Sequence, residues 1–130
     1  MKISDSNIIA YAARSLTEQC HGAAKASGWW KNNNDEDIRD NPLTFSNKLM
    51  LTVSEISEAM EADRKDQMDD KLPHRHGREV EIADAIIRLF DLAGGYGLDV
   101  AGAIAEKLEF NSKRADHKME NRKAPGGKAY

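Results

Sequence analysis

The sequence predicts an all-helical protein, a single domain resembling a four-helix bundle. Apolar residues recur at steps of three and four in four segments, no stretch alternates as a strand does, and aromatics make up only 6% while alanine recurs throughout. The 130 residues suit one hydrophobic core, and the 40% apolar, 32% charged composition is that of an ordered globular chain.

The first segment, about 6–26, aligns Ile9, Ala13, Leu16, Cys20 and Ala23 or Ala24 on one face, with Asp5 or Ser6 as cap and Gly28 as stop. A Trp-Trp pair and an Asn- and Asp-rich stretch follow, long for a connection between packed helices and therefore a candidate functional loop; residues 35–40 could form a short helix. The second helix is expected from Asn41-Pro42, an N-cap followed by proline at the first helical position, to about Arg64, with Phe45, Leu49, Val53, Ile56 and Met60 as its apolar stripe. The polar link 66–77 contains His74-Arg75-His76, read as exposed. The third helix, about 78–93, buries Val80, Ala83, Ile87 and Phe90 and is expected to stop at Gly94-Gly95. Asp99 caps a fourth helix carrying Val100, Ala103 or Ile104 and Leu108. Residues 1–117 are read as the domain and 118–130 as a basic tail without apolar period. So few large side chains make a thin core, which oligomerisation would supplement.

The formal charge of -3 is unevenly spread: from Lys107 onward the net is +4, leaving -7 on the preceding residues. An acidic body with a basic tail lacking interleaved aromatics argues against a nucleic-acid partner. Cys20, the single cysteine, has no internal disulfide partner, and no stretch approaches the ~20 apolar residues needed to span a bilayer, so a cytoplasmic protein without membrane partners is expected.

The chemistry resides in the carboxylates. Glu55-Ile56-Ser57-Glu58 falls within the second helix and Glu81-Ile82-Ala83-Asp84 early in the third. Residues three apart share a helix face, so each pair aims two carboxylates in one direction, where they repel unless a cation lies between them. Hard divalent ions prefer such oxygens, and facing helices can present four of them to Mg²⁺, with Mn²⁺ as a possible substitute. A solvated acidic surface is the plain alternative. Lys107, Asn111 and Arg114, at steps of four and three, offer a basic face suited to phosphate. Lys48, seven positions before Glu55, and Lys31 could add charge; Trp30 or Trp29 could stack on a base beside the Asn-rich loop, though at least one of them is expected to be a packing anchor; His117 could reach phosphate after Arg114.

Glu55-x-x-Glu58, a gap of twenty-two residues, Glu81-x-x-Asp84-Ala85-Ile86-Ile87-Arg88, a Gly-rich turn and Lys107-x-x-x-Asn111-x-x-Arg114 together resemble the all-alpha nucleoside triphosphate pyrophosphohydrolase superfamily, in particular short phage-type members of its MazG-like branch. The resemblance runs from about residue 49 to 117. It implies Glu55, Glu58, Glu81 and Asp84 as magnesium ligands, cleavage between the α and β phosphates to give a nucleoside monophosphate and pyrophosphate, and a homodimer or homotetramer. Glu58, with Glu55 beside it, is the candidate base for water, and Lys107, Asn111 and Arg114 the phosphate contacts. Short relatives often continue with a proline-containing segment ending in His; this chain reads Arg114-Ala115-Asp116-His117-Lys118. The rival readings are an enzyme selective for dCTP or dUTP and a non-enzymatic helical interaction protein.

Overall fold

In the computed structural model residues 3–129 are described, and every regular element among them is helical. The α-helices are α1 (Ile3–Ala26), α2 (Thr44–Lys65), α3 (Gly77–Gly95), α4 (Val100–Lys113) and α5 (Met119–Arg122), with 3₁₀ turns at Ile38–Asp40 and Ala115–His117. The chain gathers into two compact units, one of residues 16–98, the other of the described residues up to Ser15 together with those from Asp99 onward. Among the described residues no helix is long and apolar enough to cross a membrane.

In the 16–98 unit, α2 and α3 pack as an antiparallel pair, Arg78 meeting Asp63 at one end and Arg88 meeting Glu55 further along. α2 begins at Thr44, later than the Asn41-Pro42 signal suggests. Asn41 uses its side-chain oxygen to accept from the N–H of Leu43 (2.9 Å), forming a turn before the helix, and the Thr44 hydroxyl donates to the carbonyl of Ile38 at 2.6 Å. Asp66, left-handed at φ 50°, ends α2 with its N–H on the carbonyls of Ala62 and Asp63. The link then folds on itself: Asp69 N–H meets the Arg75 carbonyl at 2.9 Å, and Gly77 N–H meets that of Gln67 at 2.8 Å. His76, expected in an exposed link, is instead the N-cap of α3. Its Nδ1 accepts from Arg78 N–H at 3.1 Å and its Nε2 lies 3.1 Å from Asp66, leaving its side chain 16% exposed.

α3 also departs from expectation by running through Gly94-Gly95 and ending at Tyr96, with Gly97 at φ 62° beyond. The two glycines serve packing. A Cβ on Gly94 would stand 2.5 Å from that of His21 on α1, and one on Gly95 would overlap the Trp30 indole. The loop between α1 and α2 is pinned there: Ile38 N–H bonds to the Trp30 carbonyl, and the Arg39 guanidinium donates to the Gly95 carbonyl at 2.8 Å while chelating Asp37.

In the other unit, Asp99 caps α4 by accepting from Gly102 N–H at 3.0 Å. The segment beyond α4, which shows no apolar period, nonetheless carries a 3₁₀ turn and α5, ordered by polar contacts: Asp116 receives two bonds from Arg114 and one from Lys128. Buried apolar residues are mostly alanines, joined by Trp30 and Leu92, and no large side chain among the described residues falls below 2% exposure.

Candidate metal centre

The antiparallel pairing of α2 and α3 brings the two acidic motifs to one cleft. One carboxylate oxygen each from Glu55, Glu81 and Asp84 lie within 4.8 Å of one another. Glu58, one turn further along α2, lines the same cleft beside Glu81, and its charge acts on Glu81. Arg88, one turn beyond Asp84 on α3, donates from Nε to Glu55 Oε1 at 2.8 Å.

The electrostatics are those of crowded like charges. Burial raises the Glu81 carboxyl, and hydrogen bonding to Glu55 and Glu58 with their charges raises it further, to about 7. Burial also lifts Asp84, reinforced by the charge of Glu55. For Glu55 burial acts upward too, but hydrogen bonding to Arg88, Glu81 and Glu58 outweighs it and holds the group below its usual value. Arg88 thus neutralises one of three converging carboxylates. Glu81 Oε2 is buried without a hydrogen-bond partner, an arrangement that costs stability unless something positive satisfies it. Three hard oxygen donors gathered in this way could coordinate a divalent cation.

The cleft, about 1230 Å³, lies within the 16–98 unit. Lys48 lines it, its ammonium 4.3 Å from the centre of the Trp30 ring. Burial lowers the Lys48 pKa, opposed by Asp91 and assisted by Arg88. Of the tryptophans, Trp30 is the anchor: it is 4% exposed, meets His21 and Tyr96 edge to face, and donates from Nε1 to Asp91 Oδ1 at 2.8 Å. Trp29, 70% exposed, is the one that lines the cleft. Lys31 pairs with Asp35 at 3.0 Å and is not among the cleft residues.

Lys107, Asn111, Arg114 and His117 belong to the other unit. Lys107 lies over the Phe110 ring at 4.9 Å, and Asn111 Oδ1 is buried without a partner. α4 stops at Lys113, so Arg114 is its C-cap, and the fork of Arg114 is taken up by Asp116 at 3.0 and 2.6 Å. His117 Nε2 stands 4.0 Å from the same carboxylate.

Sequence reasoning did not single out Asp91, which lines the cleft and holds both His21 and Trp30, or Lys71, contributed by the link between α2 and α3. A signal for Asp91 was present: it interrupts the apolar run Leu89-Phe90-Asp91-Leu92-Ala93, seven positions after Asp84 and hence on nearly the same helix face.

Comparison of the chain with protein-family models, with curated proteins and with solved structures gave no match.

Proposed function

We propose that the protein is a magnesium-dependent nucleoside triphosphate pyrophosphohydrolase that releases a nucleoside monophosphate and pyrophosphate. The observation that carries this reading is the meeting of one carboxylate oxygen each from Glu55, Glu81 and Asp84 within 4.8 Å, together with a buried Glu81 oxygen that has no partner. The sequence resemblance to the MazG-like branch supplies the scissile bond. A bound Mg²⁺ would contribute charge neutralisation at phosphate and activation of water.

The chain's own residues divide the remaining work. Glu58, exposed at the cleft wall, accepts the proton of the attacking water. Lys71 and Arg88, both lining the cleft, oppose the charge of the phosphates. Lys107, Asn111, Arg114 and His117 are phosphate contacts by the resemblance alone; within their own unit the Arg114 fork is held by Asp116.

The proposal includes self-assembly. Leu49, Val53, Ile56 and Met60 follow one another along α2 on the side away from Glu55 and Glu58, as Ile82, Ile86 and Leu89 do on α3 relative to Glu81 and Asp84. All seven are 38–60% exposed. Covering them in a homodimer or homotetramer recovers roughly 1 kcal/mol for each half-exposed side chain.

The test is a product-resolved assay. With Mg²⁺, a triphosphate should yield monophosphate and pyrophosphate in equal amounts, and Glu58→Gln should lower turnover by about 10²–10⁴-fold without loss of helicity. Orthophosphate as first product, or undiminished turnover in the variant, would contradict the assignment.

A further inference from the structure

The cleft has a second polar end that the carboxylate centre does not use. Asp91 and Lys48 lie there, each seven residues, and so about 10 Å, along its helix from a carboxylate of the centre, Asp84 on α3 and Glu55 on α2. The Asp91 carboxyl is buried, its side chain only 13% exposed. Its Oδ1 is saturated, accepting from Trp30 Nε1 at 2.8 Å and lying 3.0 Å from His21 Nδ1, and these two contacts fix the carboxylate plane. Its Oδ2 accepts no hydrogen bond from any described residue, yet Asp91 lines the cleft. A buried carboxylate held rigid through one oxygen and open through the other is a receptor for N–H donors. Lys48, anchored over the Trp30 ring, places a cation at the same end, and Trp29 offers an exposed aromatic face on the cleft wall.

Guanine fills such an end most fully. Adenine, cytosine and uracil each offer a single N–H donor to the carboxylate, with one acceptor beside it for the lysine. Guanine presents two adjacent donors, N1–H and the 2-amino group, with the O6 carbonyl next to them.

We propose that Asp91 Oδ2 receives the N1–H and 2-amino donors of a guanine nucleotide, with Lys48 serving its O6, while the phosphates lie toward Glu55, Glu81 and Asp84. The inference rests on the pyrophosphohydrolase reading of the carboxylate end and names the substrate class for it. The discrimination follows from the second donor, which adds a hydrogen bond to a charged group that the other bases do not make.

The test is calorimetric binding of the non-hydrolysable α,β-methylene analogues of GTP, ITP, ATP, CTP and UTP to the full chain with Mg²⁺, alongside turnover of the parent triphosphates. The guanosine analogue should bind at least about tenfold more tightly than those of ATP, CTP and UTP, and several-fold more tightly than the inosine analogue, which lacks only the 2-amino group. Asp91→Asn, which can keep its oxygen on Trp30 and His21 while turning an amide N–H₂ to the cleft, should bring the guanosine preference to within a few-fold of the other bases. Equal affinity across the bases, equal affinity for inosine and guanosine, or absence of binding overturns the proposal, and the wild-type panel decides this even if the variant does not fold. Guanosine-selective binding without turnover supports it and removes the hydrolytic reading; turnover without base preference does the reverse.

Discussion

Glu81 is drawn in two directions. Its pKa of about 7 against an ordinary 4.5 means that the folded protein holds a proton there which the unfolded chain has lost. The sign follows from linkage: the folded state binds more protons between those values, so this group's contribution to stability falls as pH rises from about 4.5 to about 7, and the penalty is fully present above. Glu81→Gln should therefore raise the melting temperature of the cation-free protein at pH 8 and leave it nearly unchanged at pH 4, as thermal unfolding at the two pH values will show. The same proton competes with metal. Mg²⁺ affinity should increase through pH 7 with uptake of the ion releasing protons, measurable by calorimetry in buffers of different ionisation enthalpy. An affinity independent of pH between 6 and 8 would contradict the role given to Glu81.

At the scale of elements, helix existence and the acidic motifs were legible because both rest on local periodicity: a step of three places Glu55 with Glu58 and Glu81 with Asp84 whatever the tertiary packing. What periodicity could not supply was anything set by a partner element. Gly94 and Gly95 read as a helix stop, yet α3 passes through them because His21 and Trp30 approach too closely to admit a side chain. Asn41 read as an N-cap, yet its side chain closes a turn ahead of Thr44. The buried tryptophan of the pair, and the importance of Asp91, depend on one hydrogen bond spanning 61 residues. Gly95→Ala makes the point testable. The added methyl would overlap the indole, and the variant should lose roughly 1–3 kcal/mol with a changed near-ultraviolet tryptophan signal, whereas an alanine placed only for helix propensity would stabilise.

For the whole molecule, the exposed apolar rows on α2 and α3 set the expectation. Sedimentation should find a multiple of the 14.5 kDa chain mass, and Ile86→Glu should shift the population toward the single chain by placing a charge within a covered surface. A wild-type monomer at micromolar concentration would remove assembly from the account. Such an assembly would also explain why the described residues bury mostly alanine while large aliphatic side chains on these two helices stay exposed.

The central claim is that the three carboxylates form a cation site for nucleotide chemistry. The most direct measurement is an Mn²⁺ titration, followed by electron paramagnetic resonance, of wild type and Glu81→Gln, each with and without a non-hydrolysable triphosphate. Saturable binding that tightens with the triphosphate and is lost in Glu81→Gln is the result expected. Absence of saturable binding in the wild type, or equal binding by both proteins, would contradict it.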